Sequence, residues 1–124
     1  MNEATRSILL VEDDSDVRKM MVLHLEHEGY RVVEAADGME GLQRLEDERF
    51  DLVITDIVMP FVSGVGVVRM VKTKCPGTPV IAITGQGKVC EEMAAENRSD
   101  LVFEKPTNMA DLIIHIRRLL GERP

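Results

Sequence analysis

The chain offers little sulfur chemistry. Its two cysteines, Cys75 and Cys90, form no CxxC pair and have no metal-ligand spacing around them. Both sit among apolar or small neighbours, so reduced thiols are expected rather than a disulfide. Long apolar runs are also missing: none approaches the roughly 20 residues that a bilayer-spanning helix needs. The opening MNEATRS is polar and acidic and has no apolar signal core. A soluble cytoplasmic protein with no membrane partner is the expectation. No internal repeat, low-complexity tract or linker interrupts the 124 residues, so one domain is expected over 1–124, with a core of about 7–120.

Positive charge is scarce as well. Fifteen basic residues against 22 acidic ones leave a formal charge of −7. That argues against direct nucleic-acid binding by this domain, although an acidic domain can regulate a DNA-binding partner. The three histidines do not cluster. His24 and His27 are three apart on one helix face and His115 stands alone on another helix, so all three read as ordinary helix residues rather than ligands.

What is present is a regular alternation. Ser7–Glu12, SILLVE, is continuously apolar up to its acid and suits a strand buried on both faces. Asp13, Asp14, Ser15 and Asp16 follow, with Asp14 or Ser15 placed to cap a helix. Val17, Met20, Met21, Leu23 and Leu25 form the apolar stripe of that helix, and Gly29 closes it. Tyr30–Ala35 alternates like an edge strand. A helix over Met39–Glu48 is expected to turn Leu42 and Leu45 inward. Phe50–Thr55 is a third strand, Gly64–Lys74 a helix, Thr78–Thr84 a fourth strand, 88–97 a helix, Leu101–Phe103 a fifth strand and Asn108–Leu120 the last helix. Strands apolar throughout and joined by helical crossovers make a parallel sheet covered on both faces, an α/β single domain.

Ligands bind such sheets beyond the carboxyl ends of the strands. Those ends carry Glu12 and Asp13, then Asp56, Thr84 and Lys105-Pro106. Three carboxylates gathered at one edge repel each other and raise each other's pKa. A hard cation that keeps some of its water, Mg²⁺, relieves that repulsion. An ammonium and a hydroxyl beside it complete a cradle for a phosphoryl group, with Asp56 as the nucleophile. Each residue taken singly has a plainer reading: Asp14 and Asp16 as caps, Asp56 as a turn residue, Thr84 as a strand end, Lys105 as a solvated side chain. Their joint fall on four ends of one sheet edge outweighs those readings.

From about Ser7 to Leu120 the chain resembles the receiver domain of two-component response regulators. ILLVEDD, DLVITDIVMP with Gly64 after it, PVIAITG and FEKP carry the likeness, in order and at strand ends. The resemblance implies a doubly wound (βα)5 fold, flavodoxin-like, with strand order 2-1-3-4-5. It implies Asp56 as phosphoacceptor, with Asp13 on Mg²⁺ directly, Glu12 through water, and the Val58 backbone carbonyl as a further ligand. Thr84 is then the switch hydroxyl and Lys105 the lysine that pairs with the phosphoryl group. The Lys105–Pro106 bond is cis in the family. Gly85 stands where the family has a small residue.

By the same resemblance, Val58 and Gln86 occupy positions that in the family tune the lifetime of the phosphorylated form. Val102 stands where the family usually has its switch aromatic, with Phe103 next. The implied partner is a sensor histidine kinase or a histidine phosphotransfer protein. The implied readout face, and the face for any homodimer, is the last two helices and the fifth strand. Such a domain is not an enzyme in the usual sense, since it catalyses only its own phosphorylation and dephosphorylation. Three readings compete, one of them a flavodoxin-like electron carrier, which would need a Ser/Thr/Gly-rich phosphate loop after the first strand where EDDSD stands. A Mg²⁺-dependent aspartyl phosphatase would need a second acid where Val58 stands, and a degenerate receiver serving as a scaffold would not need the full set of site residues.

Overall fold

The computed structural model describes residues 5–57, 64–85 and 100–122, with side chains in the second of these stretches from residue 66 onward. Five strands form one parallel sheet: β1 (Ser7–Val11), β2 (Arg31–Ala35), β3 (Leu52–Asp56), β4 (Val80–Thr84) and β5 (Leu101–Glu104), in the order β2-β1-β3-β4-β5. Four helices are described: α1 (Ser15–His27), α2 (Gly38–Asp47), α3 (Gly64–Lys74) and α4 (Met109–Leu119). The helix expected over 88–97 lies outside the described residues.

Period-two alternation along the central strands supplies two cores. Leu9, Val11, Val53 and Ala82 point to the face covered by Val67, Val68 and Val71 of α3, where Leu42 and Leu45 of α2 also pack as the sequence leads one to expect. Ile8, Leu10, Ile54, Ile81 and Ile83 point to the other face, covered by Met21 and Leu25 of α1 and by Leu112 and Ile116 of α4. β1, β3 and β4 are buried along their whole length, which is why Ile8–Val11, Leu52–Ile54 and Val80–Ile83 are apolar at every position, whereas β2 at the edge is part exposed.

Helix ends follow local chemistry. The Asp14 carboxylate accepts from the backbone N–H groups of Asp16 (2.9 Å) and Val17 (3.1 Å), so Asp14 rather than Ser15 is the cap of α1. Asp37 and Asn108 cap α2 and α4 in the same way. Gly29 follows the end of α1 with φ +95°, a left-handed conformation that a residue with a Cβ adopts at a cost. At Gly41 a Cβ would lie 3.0 Å from Val11 Cγ2, so glycine lets α2 approach β1 closely.

Two expectations need correction. Met20 is 37% exposed and Leu23 70%, so neither belongs to the buried stripe of α1. The helix buries positions 21 and 25 and half-buries 17, 18 and 22. At 100° per residue those five share one arc that Met20 and Leu23 fall outside. The third strand is also shifted: it runs from Leu52 through Asp56 rather than from Phe50 to Thr55. The acid is therefore the last residue of the ladder, not a residue beyond it.

Candidate functional site

The parallel topology brings the carboxyl ends of β1, β3, β4 and β5 to one edge. The Glu12 N–H still bonds the Ala35 carbonyl (3.0 Å), and the Ile57 N–H bonds the Ile83 carbonyl (2.9 Å), so both chains leave the sheet under backbone control. The Thr55 hydroxyl donates to the Asp56 carbonyl at 3.0 Å. The Lys105 N–H bonds the Thr84 carbonyl at 2.8 Å, and the Lys105–Pro106 peptide is cis.

Three groups at this edge are buried that ordinarily are not: Glu12 is 1% exposed, Asp56 3% and Thr84 0%. Lys105 crosses the edge to meet the two acids. Its Nζ lies 2.8 Å from Asp56 Oδ2 and 3.1 Å from Glu12 Oε1. Burial works against the ammonium, but the hydrogen bonds and charges of Asp56 and Glu12 outweigh it and raise the lysine above its ordinary range. Glu12 is pushed up to about 7, chiefly by burial, with the Asp56 charge adding to it and the Asp14 N–H and Lys105 opposing it.

The same residues fit a divalent cation. Ligand oxygens of Glu12, Asp13 and Asp56 lie within 4.8 Å of one another, and Asp13 is the exposed member. Glu12 Oε1 is buried and accepts no hydrogen bond, because Lys105 stands at ion-pair distance without hydrogen-bond alignment. A buried carboxylate oxygen with an unfilled lone pair, next to two further carboxylates, is what a hard oxygen-seeking ion satisfies.

A sequence profile described as "Response regulator receiver domain" matches residues 8–117. The chain belongs to this family. It is a receiver domain of two-component signal transduction. The chain is 35% identical to the response regulator receiver protein CpdR of Brucella abortus, over 93% of this chain and 97% of that one. It is 30% identical to the response regulator ArlR of Staphylococcus aureus, over 94% of its own length but only 53% of that longer protein. Among solved structures, a CheY-like receiver domain protein of Methanospirillum hungatei superposes with a TM-score of 0.90 at 31% identity, covering 95% of each chain. The receiver domain of the sensor histidine kinase PA1611 from Pseudomonas aeruginosa, described with magnesium coordinated in its active site cleft, has a TM-score of 0.88 at 27% identity, covering 96% of this chain and 100% of that one.

Within this receiver domain, Glu12, Asp13, Asp56, Thr84 and Lys105 all lie at the one edge expected of them, on or just beyond strand ends. Val58 and Gln86 lie outside the described residues, as does Cys90. Val102 of β5, in the usual aromatic position, pairs in register with Ala82 of β4 and is 37% exposed. Phe103 turns to the opposite face and meets His115 edge-on, ring centroids 5.3 Å apart. A Cβ at Gly85 would meet the Lys105 stem at 3.6 Å, an ordinary contact. His24 and His27 are exposed on the last turn of α1. One residue at the site has no signature in the sequence: Arg18 of α1 reaches back to the Glu12 carbonyl, 2.8 Å away. Its place one turn after a cap makes it look like any solvated helix residue.

Proposed function

We propose that Asp56 accepts a phosphoryl group from the phosphohistidine of a sensor histidine kinase or histidine phosphotransfer protein. The observation that carries this reading is a carboxylate only 3% exposed at the end of β3, with an ammonium 2.8 Å from one of its oxygens. In the transfer an Asp56 oxygen forms a bond to phosphorus as the bond from phosphorus to the imidazole nitrogen breaks. The histidine leaves with the electron pair of that bond and takes up a proton. Lys105, now between Asp56 and Glu12, is within reach of a phosphoryl oxygen once one is attached. The buried Thr84 hydroxyl, at the next strand end, is the group that would turn toward that oxygen and shift a balance between two conformations.

Glu12, Asp13, Asp56 and the Val58 carbonyl would hold Mg²⁺, which supplies charge neutralisation to the entering phosphoryl group. Catalysis is confined to the chain's own phosphorylation and its reversal. The readout face is expected at β5, α4 and the 88–97 stretch, the last of which lies outside the described residues. The family profile over 8–117 and the near-complete overlap with CpdR support one receiver domain. Its overlap with half of ArlR shows that such a domain also occurs within a longer regulator.

The test is exposure to acetyl phosphate with and without Mg²⁺, followed by intact mass. The wild-type chain is expected to gain one phosphoryl group only with the metal, and Asp56→Asn none. Equal labelling of Asp56→Asn would refute the assignment. Steady turnover of a small phosphate ester would favour an aspartyl phosphatase instead.

A further inference from the structure

Three independent contacts converge on the turn that carries the acidic pair. The Glu12 N–H is held by the Ala35 carbonyl (3.0 Å), the Glu12 carboxylate accepts from the Asp14 N–H (3.1 Å), and the Glu12 carbonyl accepts from Arg18 Nη1 (2.8 Å). The third contact is the unusual one. Its acceptor belongs to the peptide that joins Glu12 to Asp13, and it comes from a side chain rather than from the sheet. Arg18 is itself steadied: its Nε donates to Glu34 Oε1 at 3.1 Å, and its side chain is only 16% exposed. Glu34 sits on β2, in register with Leu10 of β1.

We infer that Arg18 is a positioning residue for the magnesium site, fixing the Glu12–Asp13 peptide so that both carboxylates face the ion. The inference rests on the magnesium reading proposed above. The Asp13 side chain is exposed, so the orientation of its own peptide governs where it points. A guanidinium suits this task because its donors lie in a fixed planar fork. One arm takes the Glu34 carboxylate and the other the carbonyl, which a single ammonium does not span. Because Glu34 balances the guanidinium charge, Arg18 acts on the site through geometry rather than by adding a repelling cation beside the metal. Groups outside the ligand set that orient ligands in this way change metal affinity by roughly 10- to 100-fold when removed.

Isothermal titration with Mg²⁺ on wild type, Arg18→Met, Arg18→Lys, Glu34→Gln and Asp13→Asn tests this, alongside melting of each in EDTA. Arg18→Met and Arg18→Lys are both expected to weaken Mg²⁺ binding roughly tenfold. Arg18→Lys does not rescue, and Glu34→Gln loses less. Acetyl phosphate labelling of the Arg18 variants returns to the wild-type rate at saturating Mg²⁺. A lower melting temperature with unchanged Mg²⁺ affinity would make Arg18 a structural residue and overturn the inference. Arg18→Lys and Glu34→Gln keep the test decisive if Arg18→Met fails to fold. A wild-type chain that binds no Mg²⁺ would overturn the magnesium reading itself, and this inference with it. Normal wild-type binding, lost in Asp13→Asn but kept in both Arg18 variants, would overturn this inference alone.

Discussion

Replacing Glu12 by glutamine should stabilise the metal-free protein, although it removes one partner of Lys105. Glu12 is 1% exposed, and its pKa is lifted from 4.5 to about 7, first by burial and then by the Asp56 charge. A lift of that size means that the ionised carboxylate, without a metal, costs roughly 3 kcal/mol relative to its unfolded-state behaviour. The sign follows from which state holds the proton more tightly. The folded protein does, so this group's contribution is fully present below about pH 4.5 and is lost as pH rises through about 7. In EDTA at pH 8, Glu12→Gln should therefore melt several degrees above wild type, and the gap should close as pH falls toward 4.5. Mg²⁺ reverses the order, because it rewards the carboxylate and not the amide. Below pH 7 the wild-type affinity for Mg²⁺ should fall about tenfold per pH unit as the proton competes, and most of that slope should vanish in the variant. Calorimetric melting in EDTA and Mg²⁺ titration from pH 5 to 8 read both effects. Superimposable stability–pH curves for wild type and Glu12→Gln in EDTA would refute the reasoning.

Lys105→Met removes the cation that neutralises Glu12 and Asp56 in the absence of metal, so Mg²⁺ should bind at least as tightly while the metal-free form melts lower; weaker Mg²⁺ binding by titration would contradict this. Tyr30 is the single tyrosine, and burial together with the Glu122 carboxylate on its hydroxyl (3.1 Å) raises it to about 12. An ultraviolet titration should therefore find its phenolate late, and Glu122→Gln should bring the midpoint back toward 10. This group's contribution to stability is lost as pH climbs through about 12, a raised-pKa acid again. Leu112→Ala empties a fully buried position where α4 meets the sheet and should cost about 2–5 kcal/mol in urea unfolding. If the apolar Val58 fails to position an attacking water, Val58→Asn should speed loss of the phosphoryl group, and an unchanged decay rate by intact mass would dismiss that role.

The central strands and the acidic edge are legible in the sequence because physics leaves them few alternatives. A segment such as Leu52–Ile54 is apolar at every position because both faces are covered, and the chain cannot hide that requirement. An acid at the end of such a strand must find a partner, so Asp56, Glu12 and Lys105 can be read together before any distance is known. Surface choices obey no such constraint. Met20 and Leu23 look like core residues by type alone, yet a helix turns only part of its circumference inward, and the five residues on the arc of Met21 and Leu25 already fill it. Contacts made across the fold by ordinary polar side chains are harder still. Tyr30 and Glu122 are 92 residues apart, and Arg18 reaches the Glu12 carbonyl only because α1 folds back over the end of β1. Residue type announces a cost of burial, and spacing announces a period. Neither announces which polar side chain on a helix will find a carbonyl, and for that reason the residues that steer a site are harder to read from sequence than those that compose it.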